Sequence, residues 1–416
     1  MTTITCAEAI TKVAACVCEW HSSRMNKLNF VVCAAVLISA PVRANDFSSS
    51  VVVRFTPRGV TQVSVNGFAD PFAKRAVTAD DPVRVASVSK LVVALGVMRL
   101  VDEGQLNLDR DVSDYLGWSL RNPAFPDQPI TLRLLLSHKS SLTDAADYLI
   151  PLGDTVRART GVVAAWDKDN APGTYFRYAN LNFPVIASVM EAVTETRFDA
   201  LMTQLVFKPL RLDACFNWTT CSQNAVARAV VLTDGSGAVR RDNLSGKRPD
   251  CPVIPAADGS CDLSLYKPGT NGALFSPQGG LRISMRGLAK IGQLIGKRGR
   301  GFLSPVAYQT MITPLWRFDG NNGATEGGFW CSYALAAQTL ASEAADCKDD
   351  PFGDGRRRIG HPGEAYGLRS GLWVDPTNGK GVAYFITAVA DDAPKGQSAF
   401  NAVEEALLQT RVGVRK

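Results

Sequence analysis

From residue 88 to residue 100 the chain is almost wholly apolar, and Asp102-Glu103-Gly104 follows at once. The run predicts a helix closed by a glycine cap, and a helix apolar on every face has to lie inside a protein. Whatever else the chain does, it must surround this helix. With 416 residues, 46% of them hydrophobic and 20% charged, it is long and apolar enough to do so without a partner.

Strands are expected at both ends. Val51-Val52-Val53-Arg54-Phe55 and Thr61-Gln62-Val63-Ser64-Val65 are rich in β-formers around the turn-prone Pro57-Arg58-Gly59, which predicts a hairpin. Residues 369–374 and 382–389 read as strands, and residues 398–409 as an amphipathic terminal helix. Between them, helical stretches at 181–194, 198–205 and 286–295 alternate with loops, most conspicuously at 234–272. The expected fold class is therefore α/β of the α+β type. An antiparallel sheet is built from N- and C-terminal strands (about 45–105 and 355–416) and flanked by helices, with a mostly helical inserted region at about 106–354.

The first 44 residues read as leader. Residues 1–24 look like an upstream extension and 25–44 like a signal peptide. Met25-Asn26-Lys27 begins a short basic segment, 30–40 is apolar, and Val42-Arg43-Ala44 resembles a small-residue cleavage site. That apolar stretch is short for a bilayer span, and no later segment approaches about 18 uninterrupted apolar residues. Residues 45–416 are expected to form the folded domain.

Cysteine usage points the same way. Of 10 cysteines, Cys6, Cys16, Cys18 and Cys33 fall in the leader, leaving Cys215, Cys221, Cys251, Cys261, Cys331 and Cys347. Cys215–Cys221, Cys251–Cys261 and Cys331–Cys347 is the simplest of about 15 pairings; reduced, buried thiols are the rival reading. In an oxidising compartment the pairs become structural bridges, so a periplasmic or secreted protein is expected. There is no CxxC pair and no HExxH, and no metal or other cofactor is expected. The net charge of +6 is modest, and no Lys/Arg run is interleaved with aromatics, so nucleic acid is not an expected partner.

Ser87-Val88-Ser89-Lys90 places a hydroxyl and an amine one turn apart at the head of the buried helix. Burial and the positive end of the helix dipole both act against the ammonium form, so Lys90 can serve as a general base toward Ser87. The Ser87 backbone N–H is available as an oxyanion donor. Spacing alone is weak, because Ser264-Leu265-Tyr266-Lys267 repeats it in a loop followed by Pro268-Gly269. Ser89 neighbours Lys90 but points to another helix face.

Tyr178-Ala179-Asn180 follows about 90 residues after Ser87, and His361-Pro362-Gly363 precedes the C-terminal strands. SxxK, YxN and [KH]xG in this order resemble the serine β-lactamase and penicillin-binding protein superfamily. The likeness is to the branch of class C β-lactamases, D-alanyl-D-alanine carboxypeptidases and β-lactamase-fold esterases. Leu134-Leu135-Leu136-Ser137-His138-Lys139-Ser140-Ser141-Leu142 and Ser276-Pro277-Gln278-Gly279-Gly280-Leu281-Arg282-Ile283-Ser284 are similar to two further segments of that family. The resemblance implies Ser87 as nucleophile, with Lys90 and Tyr178 as the acid–base pair. It implies Asn180 as a group orienting substrate and Lys90, and the Glu364 N–H after His361-Pro362-Gly363 as second oxyanion donor, approached through Gly363. Which of Lys90 and Tyr178 takes the first proton stays open. His138 reads as a structural residue, and Arg282, Arg369 and Glu364 read by default as surface charge.

A Ser-His-Asp triad is the main competitor, but there is no GxSxG, and only His138 and His361 remain after the leader. Many relatives carry Lys-Thr-Gly as the third motif, where a cation and a hydroxyl engage a carboxylate. Proline supplies no hydroxyl, and histidine is largely neutral at pH 7. The expectation is an exported serine hydrolase of a small ester, amide or peptide, with esterase or peptidase-like activity favoured. A class C-type β-lactamase or D-alanyl-D-alanine carboxypeptidase is the alternative, and a catalytically idle penicillin-binding sensor is the alternative of another class.

Overall fold

The computed structural model of the chain describes residues 47–409. The expected extension at 1–24 and signal peptide at 25–44 lie outside the described residues. The predicted hairpin forms from β1 (Ser50–Thr56) and β2 (Gly59–Asn66), with Val53 opposite Val63 and a bulge between Arg54 and Phe55. Three short strands, β3 (Val83–Arg84), β4 (Cys215–Phe216) and β5 (Leu281–Ile283), make a separate small sheet in the order β3-β5-β4.

The main sheet is completed by β6 (Trp316–Arg317), β7 (Ser332–Tyr333), β8 (Gln338–Leu340), β9 (Arg358–Ala365), β10 (Leu368–Val374) and β11 (Gly381–Ile386). Its order is β6-β7-β8-β9-β10-β11-β1-β2, all antiparallel. The N- and C-terminal strands share one sheet as expected, β1 pairing with β11. Strands β6 to β8 correct the expectation, because they come from the region read as helical. At two or three residues each they are too short to show a period.

Because side chains alternate along a strand, the two faces of the sheet bury different sets. Val51, Val53, Phe55, Leu372 and Phe385 join the large core around α1 (Val88–Asp102). Val52, Trp373, Val382 and Tyr384 form a second layer with Phe400 and Leu408. Helix α1 is buried almost throughout, and Gly104, at φ 71°, ends the segment. Two further helices follow the sequence reading, α2 (Asn182–Thr194) and α3 (Met285–Gly296). The predicted helix at 198–205 is α-helical only over Phe198–Met202 and widens into a π turn over Thr203–Phe207.

Three boundaries shift. The terminal helix α4 begins at Ala402, because the Glu405 carboxylate captures the Gln397 and Ser398 amides and holds that segment as a loop. The strand expected to reach 389 stops at Ile386, where the Thr387 amide turns to the Ser49 carbonyl and Ala388 takes φ 56°. His361-Pro362-Gly363 lies inside β9 rather than before the strands. Proline disfavours a paired strand, but the last β8–β9 pair is Gln338–Gly360, so β8 does not cover Pro362. The three proximal cysteine pairs are bonded as expected, with Cα–Cα distances of 5.1, 5.8 and 6.0 Å. Among the described residues no helix is long and apolar enough to cross a membrane.

Candidate active site

Strand β3 runs into α1 through Ala86, a non-glycine residue held at φ 45°. This left-handed residue turns the chain so that Ser87, half-buried, caps the helix, while Lys90 one turn on is fully buried. The Ser87 side chain makes no capping bond, and among the described residues its amide has no backbone partner. Neither group is thus spent on capping the helix.

Lys90 Nζ lies 3.0 Å from Ser87 Oγ, 2.7 Å from Asn180 Oδ1 and 2.9 Å from the Gln278 carbonyl oxygen. Burial pushes its pKa down to about 7, opposed by the Asp144 carboxylate. The two carbonyl-type oxygens can only accept, so they take both protons of a neutral amine. The remaining lone pair then faces the one partner able to donate, the Ser87 hydroxyl. Sequence-adjacent Ser89 is spent on the fold: it donates to the Ala86 carbonyl at 2.6 Å and accepts from the Leu281 amide at 3.0 Å.

Tyr178 stacks on His138 at 4.3 Å and on Trp330 at 4.4 Å between ring centroids, and Lys90 Nζ lies 4.9 Å from its ring centre. Its hydroxyl is buried and, among the described residues, completes no hydrogen bond. Burial holds its pKa well above the usual phenol value, partly offset by the neighbouring Ser87 hydroxyl. Tyr178 is therefore a neutral phenol. His138 has the structural place expected of it: Nδ1 accepts from the Ala179 amide at 3.1 Å, and burial keeps the ring neutral. Asn180 is fixed by Asp144, whose carboxylate accepts from the Asn180 amide, the Asn180 side chain and the Leu181 amide, each at 2.9 Å.

His361 is buried and neutral, its pKa lowered to about 3 by burial and by Lys90. Nδ1 sits 2.6 Å from the Pro362 carbonyl, which can only accept, so Nδ1 carries the proton and Nε2 accepts from Tyr333 at 2.8 Å. Both nitrogens are occupied and the ring is no cation. A Cβ at Gly363 would lie 2.4 Å from both the Val85 carbonyl oxygen and Ser370 Oγ, so only glycine lets β9 press against the turn before Ser87. Glu364 follows on this strand, with its exposed side chain paired to Arg369 at 2.8 Å.

Two default readings fail. Arg282 and Arg369 are buried rather than surface charges, because each sits on a covered strand with a carboxylate opposite: Asp242 for Arg282 and Glu364 for Arg369. The second SxxK is an exposed 3-10 turn over Leu263–Leu265, with Ser264 and Lys267 facing solvent. Asp144, Trp330, Tyr333 and the Gln278 carbonyl were not singled out by sequence. The only signal for Asp144 was its place just after the Leu134–Leu142 segment. Among the described residues no three His, Cys, Asp or Glu side chains gather as a metal site.

The family model described as Beta-lactamase matches residues 42–406. The chain is 26% identical over 206 residues to D-alanyl-D-alanine-carboxypeptidase/endopeptidase AmpH of Escherichia coli, an overlap of 43% of this chain and 54% of that protein. The chain thus spans about half the length of this curated relative. Among solved structures, EstCE1, a hydrolase with promiscuous acyltransferase activity, superposes with a TM-score of 0.62 at 21% identity, over 87% of this chain and 93% of that one. A class C beta lactamase from Rhodobacter sphaeroides gives 0.61 at 17% identity over 87% and 93%. These likenesses establish a common fold.

Proposed function

The chain belongs to the Beta-lactamase family, and on that premise we propose that it is an exported serine hydrolase that cleaves an ester or amide through an acyl-enzyme on Ser87. The observation that carries the reading is the Lys90 environment: two fixed acceptors and one hydroxyl around an amine whose pKa is about 7. Neutral Lys90 takes the Ser87 proton as Oγ attacks the substrate carbonyl. The Ser87 and Glu364 amides receive the developing oxyanion. Neutral Tyr178, beside Ser87, passes a proton toward the leaving group, and water then releases the acyl group by the reverse sequence. Asn180, held by Asp144, keeps Lys90 in place and offers its amide to substrate.

Neutral His361 and Pro362 give the third motif neither a cation nor a hydroxyl, which favours esterase or peptidase-like turnover over rapid β-lactam hydrolysis. A second reading, D-alanyl-D-alanine carboxypeptidase, is supported by the sequence likeness to AmpH. The six bridged cysteines support a periplasmic or secreted site of action. Turnover of 4-nitrophenyl esters, nitrocefin and D-amino-acid peptides, with fluorophosphonate labelling of wild type and Ser87→Ala, tests the proposal. Ser87-dependent labelling with ester turnover supports it; labelling unchanged in Ser87→Ala overturns it.

A further inference from the structure

Three residues before Ser87, Arg84 carries an unusual burden. The residue is 6% exposed, yet among the described residues no nitrogen of its guanidinium finds a hydrogen-bond or ion-pair partner, and Nε and Nη1 are wholly buried. Buried charges are ordinarily paired. Burial and the nearby Arg282 lower its pKa to about 10, which leaves it charged at neutral pH. The adjacent carboxylate is already engaged. Asp242 accepts from Arg282 Nε and Nη2 at 3.1 and 2.8 Å and from Trp218 Nε1 at 2.9 Å.

A second cation adjoins the first. Arg84 lies 5.1 Å from the centre of the Tyr366 ring, and exposed Arg241 lies 5.4 Å from the same centre, also without an ion-pair partner among the described residues. Asp242, the carboxylate whose charge acts on Arg84, is thus the one that Arg282 already holds. Tyr366 is held at φ 55° just after β9, two residues past Glu364.

The cluster adjoins the candidate active site. A Cβ on Gly279 would stand 3.8 Å from Arg84 Nη2 and 3.7 Å from the Ala86 carbonyl carbon, and the preceding residue, Gln278, is the carbonyl partner of Lys90. Burial raises the Tyr148 pKa, Asp144, Tyr366 and Asp147 add to the rise and Arg84 opposes it, so Tyr148 lies between the cluster and Asp144, the anchor of Asn180. His361 within β9 and Tyr366 just past its end flank Glu364 in the chain.

We infer that Arg84, with Arg241 and Tyr366, forms an anion subsite that recognises a carboxylate on the acyl portion of the substrate. The inference rests on the proposed acylation of Ser87, and it adds a substrate class: esters or amides whose acyl group is a half-acid. A carboxylate entering beside Tyr366 meets two guanidiniums and supplies the missing partner for the buried one. The cation absent from the third motif is thus present on β3, beside the tyrosine that follows β9.

The test compares kcat/KM for 4-nitrophenyl hydrogen glutarate with that for 4-nitrophenyl pentanoate, and for 3-acetoxybenzoate with 3-acetoxybenzamide. The first pair varies charge on the acyl side and the second on the leaving side. The expected result is a preference for the glutarate ester of about tenfold or more, the size of one charge-assisted hydrogen bond. Arg84→Met should abolish the preference, and Arg241→Met and 0.5 M salt should reduce it. No preference in wild type, or one confined to the leaving-side pair, overturns the inference. Calorimetric titration of sodium glutarate into Ser87→Ala, with and without Arg241→Met, reads the subsite without turnover and without depending on the folding of Arg84→Met. Neutral-ester turnover with no glutarate binding sinks the subsite and leaves the hydrolase reading standing. Glutarate binding weakened by Arg241→Met, in a protein whose wild type hydrolyses neither ester, does the reverse.

Discussion

The chain writes Ser-x-x-Lys twice, and the two copies end in opposite environments. Ser87 and Lys90 sit at the head of a helix buried on every side, with the amine 3.0 Å from the hydroxyl. Ser264 and Lys267 lie on an exposed turn closed by Pro268-Gly269, where Asp262 caps Ser264 and Lys267 stays in water. Identical spacing therefore carries no chemistry of its own. What separates the copies is desolvation: only in the first is the amine stripped of water, and only there is it surrounded by acceptors that leave a lone pair for the serine.

The sharpest test of that contrast is the nucleophile. Ser87→Ala should lower ester turnover by roughly 1,000-fold or more, measured as kcat/KM on 4-nitrophenyl acetate, while retaining the wild-type melting temperature within a few degrees. Lys90→Ala should cost roughly 100- to 10,000-fold, the range of a positioned general base. Full activity in that variant would remove Lys90 from the mechanism. The pH profile comes next. A base works only when unprotonated, so kcat/KM should fall tenfold per unit as pH drops below about 7, the Lys90 value, and plateau above it. His361, near 3, adds no limb in this range, so a limb lying nearer 10 would show an undesolvated lysine. Trp330→Ala removes the ring stacked on Tyr178 and should lower kcat by roughly tenfold through lost positioning, with KM little changed. The smallest effect belongs to the second copy: Ser264→Ala and Lys267→Ala should each stay within about twofold of wild type, as exposed substitutions do.

The parts of this architecture written in continuous segments were legible before any coordinates. The apolar run of α1 announced a buried helix, and the hairpin and three disulfide pairs followed from local pattern and proximity. Groups that act across the chain were not legible. Asp144 fixes Asn180 from 36 residues away, and apart from its place just after the Leu134–Leu142 segment it reads as any turn aspartate. Trp330 and Tyr333 reach Tyr178 and His361 only because β7 pairs with β8, and β8 with β9, in the main sheet. Strand β9 was hidden by its own proline, which local preference reads as a break. Arg282 and Arg369 were misjudged because a lone charge reads as surface until the opposing carboxylate is placed.

Ala86, fixed at φ 45° immediately before Ser87, has a consequence for how such a protein can be improved. An L-residue there costs roughly 1–2 kcal/mol that glycine avoids. In a laboratory selection for heat tolerance alone, Ala86→Gly is therefore an early winner. In a selection for turnover it should be rejected, because the freed turn no longer dictates the direction of the serine. Running the two selections in parallel and sequencing codon 86 would read out, from survivors alone, how far ruggedness and aim oppose each other at this one residue.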